Sequence, residues 1–215
     1  MKRELVTNLL VFCLLVVLGV TTRWISEANY PKLTGVAVNE PSDLNSIGLA
    51  NFTAIGAIAL FAGYFFRPRI AAFLVPLAVM IVSNLCLKHY NNFAQMGIVY
   101  VALLLPVAFG LILHGRAKAW SVALGAVATS ITFFLITNFA EWAFYDLYPH
   151  TAAGLATGYV AAIPFFRNTL LSDLLFSGLI FGSYWLAVSY GVLQSRQTQL
   201  VPATVGPSAE LAGRR

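Results

Sequence analysis

The chain has 215 residues, 59% of them hydrophobic and only 10% charged, with a mean hydropathy of +0.79. Soluble domains carry about 25% charged residues, so the composition excludes a soluble globular protein and indicates an all-α polytopic membrane protein. The formal charge of +5 is spread without a basic run, which argues against nucleic acid as a partner and fits cations gathered in cytoplasmic loops beside a lipid bilayer.

A spanning helix needs about 20 apolar residues, and six segments qualify: about 5–22, 48–66, 70–87, 95–113, 119–142 and 170–193. The first, in MKRELVTNLLVFCLLVVLGVTTRW, has the charged start and apolar stretch of a signal peptide. It lacks a small-x-small cleavage site and reads as a retained helix. A polar loop follows over 23–47. The second and third segments are joined by the short turn FFRPRI, where Pro68 breaks the helix. The third ends in SNLCLKHYNN, a cluster of ligand-type side chains. Between the fifth and sixth lies 143–168, whose apolar piece GLATGYVAAIPFF is too short to span and reads as re-entrant or interfacial. Residues 194–215 form a polar tail, expected to be cytoplasmic and disordered. There is no internal repeat.

Loop charges set the expected orientation. With the N-terminus inside, Lys2, Arg3, Arg67, Arg69, Arg116, Lys118, Arg196, Arg214 and Arg215 are cytoplasmic, against Arg23, Lys32, Lys88 and Arg167 outside. Nine against four is a positive-inside bias, so both termini are expected in the cytoplasm. SNLCLKHYNN and the two long loops then face outward.

Three segments carry polar stripes at that outer level. Asn138, Glu141, Trp142 and Tyr145 share one face of the fifth by i, i+3, i+4 and i+7 spacing. Thr169, Ser172, Asp173 and Phe176 repeat the spacing in the sixth, and Ser83, Cys86 and Tyr90 share a face of the third. Ionisable groups within spanning helices are expensive and mark candidate sites, which singles out Glu141 and Asp173. Bland readings stand beside these. Trp142 and Tyr145 suit an interfacial aromatic belt. Asp173 sits in the first turn of its segment, where an acid favours the helix dipole. His89 and His150 suit solvated loops.

Cys13 and Cys86 lie at different depths, so no disulfide is expected. Cys13 reads as a packing residue. Cys86, among polar groups at a rim, can ionise and act as a soft metal ligand. One thiol makes no zinc site, which wants three or four ligands, so no free metal site is expected. A single soft ligand suits a metal already held by a macrocycle. No Walker loop, GxSxG elbow or HExxH helix occurs. No nucleotide cofactor is expected, and energy for any transport must come from a partner or a gradient.

The stretches NFTAIGAIALFAGYFF (51–66), AAFLVPLAVMIVSNLCL (71–87), FFLITNFAEW (133–142) and AAIPFFRNTLLSDLLFSG (161–178) resemble, in order, the S-components of energy-coupling-factor (ECF) vitamin transporters. The likeness covers about residues 48–190. Within that family the chain is most similar to the solitary cobalamin (vitamin B12) transporters of Gram-negative bacteria, which place a cobalt-ligating cysteine near the outer end of the third helix, where Cys86 stands. Asn84 departs from the acid common in other relatives.

The resemblance implies a six-helix S-component-like bundle in the bacterial inner membrane, with a periplasm-facing pocket for cobalamin or a related corrinoid. Cys86 would ligate cobalt and, for cyanocobalamin, carry out decyanation, a stoichiometric ligand exchange with weak title to be called an enzyme. Asn84, His89 and Tyr90 would line the pocket near it. Asn138, Glu141, Tyr145, Asn168 and Asp173 would hydrogen-bond the ligand's amide rim, with Trp142 and Phe176 on its apolar face. Helix 1 lacks the Ala-x-x-x-Ala face used to dock a shared ECF energising module, which favours solitary action.

Three rivals make distinct structural statements. Another small vitamin or metabolite would leave Cys86 merely packing. A scaffold would have its polar groups satisfy one another and leave no cavity. A membrane enzyme would bring Glu141 and Asp173 within about 10 Å, as paired-acid chemistry needs.

Overall fold

The protein was analysed as a computed structural model that describes residues 2–28, 48–67, 69–87 and 93–193. His89, Tyr90 and the 194–215 tail lie outside the described residues. Seven helices make up the described chain: α1 (Lys2–Ala28), α2 (Ile55–Phe65), α3 (Arg69–Cys86), α4 (Phe93–Ala102), α5 (Leu104–Leu113), α6 (Ala119–Phe144) and α7 (Ala152–Ser189).

Five stretches are long and apolar enough to cross a membrane: Glu4–Ala28, Arg69–Cys86, Met96–Leu113, Ala119–Phe144 and Ala152–Ser189. The third and fifth expected segments match α3 and α6 closely. Four differ from expectation, each for a physical reason. The first helix does not stop at residue 22. Nothing between Thr21 and Ala28 breaks it, so Arg23 belongs to α1 rather than to a loop.

The second expected span, 48–66, holds only the 11-residue α2, about 16 Å long and half the thickness of a bilayer core. Residues 48–54 are non-helical, with Gly48 and Asn51 at positive φ, a conformation open to Gly and tolerated by Asn. The fourth span, 95–113, is broken at Leu103 between α4 and α5. Pro106, which has no N–H to offer the Ala102 carbonyl, sits one turn beyond.

The sixth expected span, 170–193, is the C-terminal part of a 38-residue helix. α7 absorbs the stretch read as re-entrant and accommodates Pro164 in its interior. Its start is fixed by Thr151, whose hydroxyl accepts the Gly154 N–H at 3.1 Å as an N-cap.

α2 is the axis of the fold. Every residue from Gly56 to Phe65 is buried, and α1, α3, α5, α6 and α7 all pack on it. Such a helix, apolar on all sides, belongs inside a core or a membrane. It meets α5 backbone to backbone, since a Cβ on Gly63 would strike the Val107 carbonyl and one on Gly110 the Leu60 carbonyl. Small residues that let backbones approach are the main source of helix association where lipid removes the hydrophobic drive.

Around its C-terminal half, Phe61, Tyr64, Phe65, Phe181 and Tyr184 form an aromatic cluster with neighbouring ring centroids 5.1–6.2 Å apart. α1, by contrast, packs Val11, Phe12, Leu15 and Leu18 on the core and exposes Leu5, Val6, Leu9, Leu10, Leu14 and Val17 on its other side, the apolar face of a helix against lipid.

Candidate functional site

At the other end of the bundle the helices separate. A cavity of about 670 Å³ lies between α1, α6 and α7, bounded also by residues 51–56, Met80 of α3, Val99 of α4 and Leu103. This volume falls within the range of small-molecule sites. It exists because α2 is short: the space its N-terminal half would fill in a full-length helix is left to the non-helical residues 48–54.

Those residues are held by side chains from two helices. From α1, Thr22 accepts the Ala54 N–H at 3.1 Å and Ser26 donates to the Leu49 carbonyl at 3.0 Å. From α7, Asn168 donates to the carbonyls of Gly48 and Ala50 at 3.0 and 2.9 Å. Asn168, expected to touch a ligand, is therefore a fastener and does not line the cavity.

Asp173 is 2% exposed and stands at the N-terminus of α2. Its carboxylate accepts from Ser130 Oγ at 2.7 Å and from the Ala57 N–H. It lies so close to Gly56 that any Cβ there would collide with it. α2 has no side-chain cap of its own, so the carboxylate of α7 serves as one from across the bundle, answering the partial positive charge of the helix start. The dipole reading of Asp173 thus names the right physics and the wrong helix: the acid complements α2, since α7 begins 21 residues earlier.

The cavity deepens along α6 from Glu141 to Thr129, twelve residues or about 18 Å of rise. Asn138, Glu141 and Asp173 line it, as expected, together with Thr129, Thr137 and Thr169. Asn138 turns its amide N–H back to the Phe134 carbonyl at 2.8 Å. Phe133, Phe134, Phe165 and Phe166 supply the apolar wall, with the Phe134 and Phe166 rings tilted at 45° and their centroids 4.8 Å apart. Thr129 is 2% exposed and its hydroxyl has no hydrogen-bond partner.

Arg23 lines the opposite wall. Its Nη1 donates to Ser83 Oγ at 2.6 Å, Asn84 Oδ1 at 3.1 Å and Met80 Sδ at 3.1 Å. Asn84 in turn donates to the Tyr100 hydroxyl at 3.2 Å.

Other expected site residues stand apart. Asn84 acts on the cavity through Arg23 and is not itself in the lining. Cys86, the last residue of α3, is exposed and outside the lining, while Ser83, three residues back, is fully buried. The buried face of α3 at this end is Met80, Ser83 and Asn84, so Ser83 and Cys86, expected on one polar face, differ in burial. Trp142 donates to the Pro149 carbonyl at 3.0 Å and meets the His150 ring edge-on at 5.6 Å. It holds the α6–α7 turn and leaves the cavity alone. Tyr145 lies just past α6, its phenol pushed up by desolvation and then by the charge of Glu141.

Glu141 and Ser130, the partner of Asp173, are eleven residues apart on α6, about 16 Å of rise, which puts the two acids at different levels of the cavity. Among the described residues no three His, Cys, Asp or Glu side chains converge on a metal position.

Sequence reading missed Arg23, Thr129 and Ser130. The signals were present. No proline or glycine separates Arg23 from the apolar run before it, and Thr129-Ser130 is a pair of hydroxyls in mid-span.

No curated protein and no solved structure matches the chain. A family model matches residues 3–198, and the chain belongs to that family, a family of unknown function (DUF6580).

Proposed function

We propose that this chain is a solute-binding membrane protein that takes up a small organic molecule in the manner of an S-component, holding it in the cavity between α1, α6 and α7. The observation that carries this reading is the cavity itself: about 670 Å³, lined by four phenylalanines and by polar groups on three helices. That mixture is the usual make-up of a ligand site. A scaffold whose polar groups satisfied one another would have no such space. In this reading the cavity opens to the periplasm from the bacterial inner membrane, with both termini cytoplasmic.

The test is native mass spectrometry of protein purified from bacterial membranes, wild type beside Ala162→Trp. Ala162 lines the cavity, and a tryptophan there takes up part of its space and obstructs a ligand. We expect a bound small molecule that leaves with the wild type and is absent from the variant. Identical ligand-free masses for both would overturn the reading.

A narrower form makes the solute a corrinoid, with the Cys86 thiolate replacing the upper ligand of cobalt and cyanide leaving as the anion. A free and exposed thiol at the end of α3 favours it. Since Cys86 is outside the cavity lining, the cobalt would sit beside the mouth. Incubation with cyanocobalamin should then give a shifted visible spectrum that co-elutes with the wild type and vanishes in Cys86→Ala. No bound colour in either would remove the corrinoid and leave the cavity reading intact.

A further inference from the structure

Among the described residues the cavity has one cationic lining residue, Arg23, beside three acids, Glu27, Glu141 and Asp173. By sign alone the lining favours a cation. The surroundings of each charge point the other way.

Asp173 is already answered by Ser130 and by the start of α2. Glu27 is exposed in the last turn of α1. Glu141 lies about 16 Å along α6 from the level of Asp173, towards the α6–α7 turn. Arg23 is half-buried, and the three partners of its Nη1 are a hydroxyl, an amide oxygen and a thioether. All are neutral. No carboxylate among the described residues lies within ion-pair distance of it. A guanidinium has five donors, and its Nη1 contacts leave the other donors of a group on the cavity wall open to a ligand. The three neutral acceptors position the group on the wall without neutralising it.

Its depth is also defined. Thr22, next to Arg23, bonds Ala54, and Asp173 lies against Gly56. Arg23 and Asp173 therefore stand at the level of the first turn of α2, well inside the cavity. Thr129 lines the cavity at its deep end, with its hydroxyl buried beneath the wall.

We infer that the ligand of this cavity is a small organic anion, a carboxylate or phosphate on a flat apolar body. Its anionic oxygens ion-pair with Arg23, and its body lies against Phe133, Phe134, Phe165 and Phe166. Arginine suits either anion because its planar fork binds both in bidentate fashion. The inference rests on the cavity being a ligand site and adds the charge of what it takes.

Four probes with one shared ring system separate the alternatives: 2-naphthoate, 2-naphthyl phosphate, 2-naphthamide and 2-naphthylmethylammonium. Binding to full-length protein in detergent is read by thermal shift and by equilibrium dialysis, with Ala162→Trp as the obstructed-cavity control. We expect one or both anions to bind at least tenfold more tightly than the amide and the ammonium. That preference should fall about tenfold or more in Arg23→Gln, survive in part in Arg23→Lys, and persist in Glu27→Gln. Which anion wins distinguishes carboxylate from phosphate.

Equal or tighter binding of the amide or ammonium, lost in Ala162→Trp, would overturn the anion and keep the cavity as a ligand site. An anion preference unchanged in Arg23→Gln would overturn the role of Arg23. Binding of none of the four probes, or binding untouched by Ala162→Trp, would overturn the anion together with the cavity reading. If Arg23→Gln does not yield folded protein, Arg23→Lys carries the test, because it keeps the charge while losing the fork, and full retention of affinity for both anions would then refute bidentate pairing.

Discussion

The two halves of this bundle are built from one central helix and behave as opposites. Around the C-terminal half of α2 everything is closed. Gly63 and Gly110 bring two backbones together, and Phe61, Tyr64, Phe65, Phe181 and Tyr184 fill the remaining space. Around its N-terminus the same helices stand apart. The start of α2 is held by Thr22 and Asp173 in addition to the apolar packing of Ala54, Ile55 and Ile58. The lesson is that a short helix can be anchored at one end by close contact and at the other by hydrogen bonds. The second arrangement leaves room for a ligand, with polar groups already in place around it.

If that division is right, substitutions should separate into those that damage the fold and those that damage only the site. The largest loss is expected from Phe181→Ala, at the centre of the closed half and fully buried. It should cost about 3 kcal/mol or more, seen as a lower midpoint of thermal unfolding in detergent. Gly63→Val should cost about 2–3 kcal/mol by forcing α2 from α5, and should also broaden the gel-filtration peak. Asp173→Asn keeps the shape at the start of α2 but removes the charge. It should cost about 2 kcal/mol and leave the aromatic cluster unchanged in near-ultraviolet circular dichroism. Ala162→Trp should change stability by less than about 1 kcal/mol, because it fills existing space, while abolishing ligand binding. Cys86→Ala, at an exposed position, should shift stability by less than about 0.5 kcal/mol. A loss of 2 kcal/mol or more from the last two, or none from the first two, would refute the comparison.

Much of the site was legible from spacing. The stripe Asn138–Glu141 is on the cavity wall because i, i+3 neighbours share a helix face, and Asp173 is buried as an intramembrane acid should be. What misled was the reading of where helices end. Residue 22 closes an apolar run but not a helix, so Arg23, the one cation among the described lining residues, reads as a loop residue from the sequence. Asn168 and Trp142 have the chemistry of ligand contacts, yet their bonding capacity is taken by Gly48, Ala50 and Pro149. Spacing says which face a side chain shares. It cannot say which distant carbonyl arrives to occupy it.

By itself the sequence determined that this is an all-helical chain suited to a membrane, because hydrophobic content and the length of apolar runs are local properties that lipid reads directly. It also determined that polar groups gather towards one end, since their positions in spanning runs fix their depth. Only the tertiary structure decided that α2 is a half-length central helix, that its start is capped by an acid 117 residues beyond Gly56, and that Cys86 faces away from the space its neighbours enclose. Those outcomes depend on contacts between residues far apart in the chain, where the competition among possible partners is settled by packing and not by pattern.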